Sequence, residues 1–410
     1  MGIRYLWIDA LCIVQDDEQA KAYEIERMGD IYNNATFVII ASGTCRSVKD
    51  GFLNHLRDIA VVPFLIQDAT VASQDQKTTT LCLAPSSPRH YLDSRGWTFQ
   101  ERHLAVRSLE FTGSKGVIFT CAAMSLKFRE GEGWGRNHLR SGMGVVKKGA
   151  SWRDVVLNYS GRGLTFADDR LPALAGYASW HALDMMQARN TGDDSNTPTA
   201  GEPSQGLTYV AGMWSTHLIR DLLWLGNEVV PRNPIPLSRY RSPGWSWVSV
   251  LDHQPPSMGP ISMFDDKAYT RSRSDAKVLS YNVQLAHPQA PFGRVTKGTI
   301  TLEAKVAAID SIEDEQVRMR MLAACNYVFT PEQLRQLHFV RLRSALELGD
   351  NTDYGLILIP MPDQGVQEGR GTPKVQTFMR MGMYRHLAFL NNNMPITDWD
   401  SVQAQVLQII

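Results

Sequence analysis

Apolar and polar positions alternate unevenly at the start of the chain. Residues 5–8, YLWI, form a short apolar and aromatic run that stops at Asp9, resumes through Cys12 and Val14, and ends at Gln15 and an acidic pair. This run predicts a buried strand. From Asp17 the spacing becomes helical, with Ala20, Tyr23, Ile25, Met28, Ile31 and Tyr32 recurring between Glu24, Glu26, Arg27 and Asp30. Asp16 and Asp17 suit a helix beginning, where free amides and the dipole favour acids. Asn33 and Asn34 suit its end, because asparagine tolerates left-handed backbone. Residues 36–41, TFVIIA, are β-branched and apolar throughout, as in a strand buried on both faces. Strand, helix and strand in so short a span predict a crossover between parallel neighbours.

Further strands are expected over 59–66 and 78–83, and a hairpin joins 108–112 to 117–121 around Gly113 and Gly116. Before that hairpin, Trp97, Glu101, Leu104 and Ala105 fall at helical spacing. Residues 124–150 read as an irregular connection. Helices are expected over 155–159, 171–186 and 209–225, the last with Trp214, Leu218, Leu222 and Leu225 on one stripe. Residues 189–206, RNTGDDSNTPTAGEPSQG, read as a mobile loop. Past Pro255 the pattern turns to strands, over 277–286, 299–308, 354–360 and 377–384. The organisation is an α/β domain over 1–125, a helical extension over 126–252 and a β-rich region over 253–410.

The 42 basic and 42 acidic side chains balance, so no global field draws the chain to nucleic acid or an anionic membrane. Five scattered cysteines without a C-x-x-C pair suggest reduced thiols, and no secretory leader or spanning apolar run stands out. A cytoplasmic protein is expected. The chain has no P-loop, no H-E-x-x-H and no G-x-S-x-G elbow, and its ten histidines lack ligand spacing, so no metal is expected. GEGWG at 131–135 mimics part of a dinucleotide fingerprint but follows a charged segment, which suits a flexible loop.

Three blocks carry a specific resemblance: YLWIDALCIVQDD, ERMGDIYNNATFVIIAS and SRGWTFQERHLAVRSLEF. They resemble the hallmark blocks of the fungal heterokaryon incompatibility (HET) domain family. YSGRGLTFADDRLPALAGYA, YVAGMWSTHLIRDLLW and GWSWVSV are similar to segments that follow the domain in long members. Members also carry a motif like LSYxWG ahead of the WIDALCI block; this chain has none, which implies an N-terminally incomplete domain. The resemblance implies a parallel-sheet, TIR-like fold and a role in the cell death that follows fusion of unlike fungal cells. Because some TIR domains cleave NAD, it implies two mechanisms. One is hydrolysis of NAD at the nicotinamide bond, with NAD as substrate and no cofactor. The other is a non-catalytic module that self-associates or binds protein partners; an inactive family member is a third reading.

Candidate residues follow from position and chemistry. Asp9 comes directly after the first expected strand, where open α/β sheets bind ligands; its structural alternative is to accept from the amides of Leu11 and Cys12. Glu101, on a helix beside Trp97, suits stabilisation of a cationic sugar; alternatively it pairs with Arg95 or Arg102. Arg95 suits a phosphate and Trp97 a base, with Gln100 beside them as a further binding residue; otherwise Arg95 ties a loop and Trp97 fills the core. Cys12 reads as a buried small hydrophobe, and Trp245 and Trp247 alternate as on a strand, serving packing.

Overall fold

The computed structural model describes residues 2–42, 63–66, 79–82, 91–112, 117–121, 123–129, 133–136, 150–190, 206–226, 242–249, 261–263, 270–311, 329–345, 352–362, 375–386 and 398–410. The turn at Gly113–Gly116, most of the 189–206 loop, Cys45 and Cys325 lie outside these. The chain divides into two compact units, one of Asp30–Val145 and one of Met1–Gly29 with Val146–Ile410.

The N-terminal segment differs from its pattern. Residues 2–8 form no strand, and Tyr5 is 89% and Leu6 74% exposed. Apolar content makes a strand only where the backbone finds a ladder partner. A single turn, α1 (Asp9–Cys12), follows, then α2 (Glu18–Asn34). As expected, Asp17 begins α2: its Oδ1 accepts from the amides of Gln19 at 2.9 Å and Ala20 at 3.0 Å. α2 ends at Asn34 as expected, but not through left-handed backbone: Asn34 donates from Nδ2 to the Asp30 carbonyl at 2.8 Å. Cys12 is exposed, not buried, while Met28 is buried.

In the unit of residues 30–145, β1 (Val38–Ile40) leads to the hairpin of β2 (Pro63–Ile66) and β3 (Thr79–Cys82). Next come α3 (Thr98–His103), β4 (Arg107–Phe111), β5 (Val117–Cys121), β6 (Ser125–Arg129) and β7 (Gly133–Arg136). The main sheet has the order β1-β4-β5-β6-β7. β1 and β4 are parallel, with Ile40 opposite Glu110, and the other neighbours are antiparallel. Thus β1 has its parallel neighbour far downstream and not at residues 5–8. It is not buried on both faces either, since Ile39 is 47% exposed beside buried Ile40. The expected β4–β5 hairpin is present. The irregular connection is in part a β6–β7 hairpin, which takes up the second half of GEGWG with Trp134 opposite Phe128.

In the other unit, α4 (Trp152–Ser160) and α5 (Pro172–Asn190) match the expected helices. α2 meets α5 where Gly29 lies on Gly176; a Cβ at Gly29 would come within 2.6 Å of the Gly176 Cα. The expected helix over 209–225 is instead β8 (Tyr209–Val210), β9 (Met213–Trp214), a short α6 (Leu218–Asp221) and β10 (Trp224–Gly226). Ala211 (φ 47°) and Gly212 (φ 95°) break it, because two successive left-handed residues turn a hairpin and end any helix. The turn carbonyls are then captured. Trp152 and Trp247 both donate their indole N–H to the Gly212 carbonyl, at 2.9 and 2.8 Å, and Ser246 donates to that of Ala211 at 2.6 Å. Trp245 and Trp247 sit in a turn and short helical segment, not a strand, yet both are fully buried packing residues.

The remaining elements are β11 (Ile261–Met263), β12 (Ser272–Ser274), β13 (Lys277–Leu285), β14 (Val295–Ala308), α7 (Pro331–Arg335), β15 (His338–Ala345), β16 (Asp353–Pro360), β17 (Gln376–His386) and β18 (Ala404–Ile409). β14 is long enough to serve two neighbours along one edge, β13 through Glu303 and β15 from Lys305. Its other edge takes β18. Antiparallel pairing of β15 with β16 and of β16 with β17, then parallel pairing of β17 with β18, closes the ring. The β-rich region is therefore a barrel around Phe339, Ile357, Met381, Tyr384 and Trp399. Trp224 joins β10 to it, with the Arg380 guanidinium 3.6 Å over its ring.

Candidate functional site

Four of the predicted residues fall within one turn and helix. Thr98 secures this turn by donating its hydroxyl to the carbonyls of Leu92 and, at 2.9 Å, Arg95. Arg95 is exposed, Trp97 and Glu101 are half-buried, and Gln100 is fully buried with Phe99 on the inner face of α3. Gln100 therefore belongs to the packing of α3, while Arg95, Trp97 and Glu101 retain exposed surface. Arg102, the alternative partner for Glu101, grips the Glu110 carboxylate with two N–H groups, at 2.9 and 3.3 Å, and stands 3.4 Å from Asp93. The buried Ser42 hydroxyl donates to the same carboxylate at 2.5 Å.

The Arg102–Glu110 pair lies at the carboxyl ends of parallel β1 and β4, and fixes α3 above them. Ser42, Asp93, Arg102 and Glu110 were not read from the sequence as a group. Their meeting depends on the register of β1 against β4, and local periodicity carries no trace of it.

Residues 1–101 match the family model of the heterokaryon incompatibility protein (HET). The first 101 residues of the chain are thus similar to a HET domain. No curated protein and no solved structure matches it. The HET match takes in Asp9, α2, β1 and α3 as far as Glu101, and ends just before Arg102.

Asp9 stands differently within the HET segment. It opens α1, is exposed, and follows no strand; its Oδ1 accepts from the adjacent Ala10 amide at 2.8 Å. The amides of Leu11 and Cys12 donate to the Ile8 carbonyl, at 3.0 and 2.8 Å, and not to Asp9. Asp9 belongs to the unit of Met1–Gly29 and Val146–Ile410, whereas Arg95, Trp97, Gln100 and Glu101 belong to the unit of Asp30–Val145.

The other exposed feature of the HET segment is apolar. Ile3, Tyr5, Leu6, Ile8, Leu11 and Val14 all show between 40% and 89% of their surface. A contiguous stretch of chain that presents this many large apolar side chains marks a surface that gains by being covered. Among the described residues, no group of three or more His, Cys, Asp or Glu side chains is arranged to hold a metal ion. No described helix is long and apolar enough to cross a membrane.

Proposed function

We propose that this chain is a HET-domain protein that signals non-self recognition and programmed cell death in the cytoplasm of a filamentous fungus, acting through contacts of its HET segment with protein partners or further copies of itself. The observation that carries this reading is the exposed apolar series from Ile3 to Val14 within the matched residues. Transfer of such side chains out of water favours association by roughly 25 cal/mol per Å² of apolar surface covered. The test is expression of the chain in a fungal host alongside Leu6→Asp and Leu11→Asp variants. Growth arrest by the parent, lost in both variants at equal protein level and equal thermal midpoint, is the expected result. Arrest that persists in both variants would sink the reading.

A second reading, cleavage of NAD, is favoured by the partly exposed Arg95, Trp97 and Glu101 on one turn and helix. Glu101 would stabilise the cationic sugar as the nicotinamide bond breaks, Arg95 would hold the pyrophosphate, and Trp97 would stack on a base. Asp9 is the other acid proposed for the charge-stabilising role. Purified protein that consumes NAD, with Glu101→Gln losing at least tenfold in rate, would support this mechanism; unchanged NAD levels would remove it.

A further inference from the structure

Two carboxylates share one guanidinium at the end of the C-terminal barrel. Arg341 on β15 directs Nε to Asp275 Oδ2 and Nη1 to Asp353 Oδ1, each at 3.5 Å. Asp275 has a second cation, the exposed Arg273, at 3.5 Å from its other oxygen. Among the described residues, no second cation pairs with Asp353. It is 4% exposed, and its further contact is the indole N–H of Trp399, which donates to Oδ2 at 3.1 Å. Trp399 is itself buried, lies under the Arg341 guanidinium at 5.2 Å, and has its carbonyl taken by the Lys305 ammonium of β14. It directly precedes the segment that leads into β18, the strand that closes the barrel.

We propose that the closed barrel holds one proton on Asp353, and that this proton secures the closure made by Trp399 and β18. With both acids ionised, one buried guanidinium would have to serve two carboxylates in a nearly dry interior, where burial and like charge both disfavour the second charge. Asp275 has the exposed Arg273 beside it as well, whereas Asp353 is buried with only the shared guanidinium, so the proton resides on Asp353. A neutral carboxyl still accepts from Trp399, so the closing contact survives protonation.

The groups that face Asp353 are consistent with this. Arg341 comes from β15, Asp275 from the β12–β13 corner, and the Tyr384 phenol from β17, with Lys305 of β14 engaged by Trp399. In the ladder, Ser344 stands opposite Asp353 on one side and His386 on the other. The Tyr384 phenol is held well above its usual range, first by burial and then by the nearby Asp353 charge, so it stays protonated. The Asp353 carboxyl is pushed up to about 6, first by burial, which outweighs the attraction of Arg341. The closed form thus binds the proton more tightly than the open form. Its added stability is complete below the ordinary carboxyl range near 4, declines as pH rises toward 6, and is gone above that.

The experiment is hydrogen exchange of the β18 amides in the full chain at pH 5 and pH 7, corrected for the intrinsic pH dependence of exchange. Parent protein should lose about tenfold in protection between the two, following the proton-linkage slope. Asp353→Asn, which mimics the protonated acid and keeps an acceptor for Trp399, should show the same protection at both. A parent that is flat between pH 5 and 7, or an Asn variant that tracks the parent, would overturn the proposal. Should Asp353→Asn not fold, Asp275→Asn decides. It leaves Arg341 to Asp353 alone and should move the transition to lower pH; an unmoved transition refutes the idea.

Discussion

Single residues decide where this chain can bend and approach itself. Gly355 faces Tyr384 across the β16–β17 ladder, and a side chain there would collide with that ring, 2.6 Å from its Cε1, and with the Val340 carbonyl. Backbone cannot yield as a flexible side chain can, so Gly355→Ala should cost about 3 kcal/mol or more, read from the denaturant midpoint. His181 is a second such position. It is buried among Trp152, Tyr177 and Trp214 with ring centroids 5.2, 6.4 and 6.0 Å away, and burial lowers its pKa to about 4 against the smaller opposing pull of Asp184. The unfolded chain takes up this proton near pH 6.5, the folded one only near 4. The stability due to neutral His181 is therefore complete above pH 6.5 and is lost as pH falls toward 4. Thermal midpoints of parent and His181→Phe should converge or cross over that window as the parent alone weakens. Neither role is legible in the sequence, where Gly355 looks like a strand breaker and His181 like any helix histidine.

Elements with strong local signals came through. The Asp17 cap and Asn34 closure that delimit α2 depend on contacts within one helical turn, so residue order suffices to see them. Asp17→Ala should cost about 1 kcal/mol, measurable by urea unfolding followed at a probe within α2. The same reasoning failed for residues 209–225, whose apolar stripe suits a helix. Ala211 and Gly212 take positive φ there, and the indoles of Trp152 and Trp247 reward the turn by hydrogen-bonding its carbonyl. Those donors lie far away in sequence, and a local period cannot weigh them. Residues 5–8 failed in the opposite direction: the composition of a buried strand, without a ladder partner, stays at the surface.

At the scale of the whole molecule, closure of the barrel is the decisive event, because β18 supplies the edges of both β14 and β17. Deleting residues 404–410 would leave two long strands with open edges. The shortened chain should lose its cooperative unfolding transition and bind a hydrophobic dye, as seen by calorimetry and fluorescence. Four of the strands in the C-terminal sheet were evident from the sequence pattern, but β12, β15 and β18 were not. β15 is buried on both faces and includes Arg341 and Arg343, which disguise it as a polar segment until Asp275, Asp353 and Ser272 are seen beside it.

Sequence alone determined the kinship of the first hundred residues, the mixed α/β content, the limits of α2 and the shift to strands after Pro255. Each of these is written in neighbouring side chains or in blocks long enough to be specific. Tertiary structure alone decided that β1 pairs with β4, that Arg102 is bound to Glu110, that the β-rich region closes on itself, and that Asp353 meets Asp275 across a guanidinium. These depend on which distant backbones share a ladder, and the energy that selects a partner is earned only once both strands are in place.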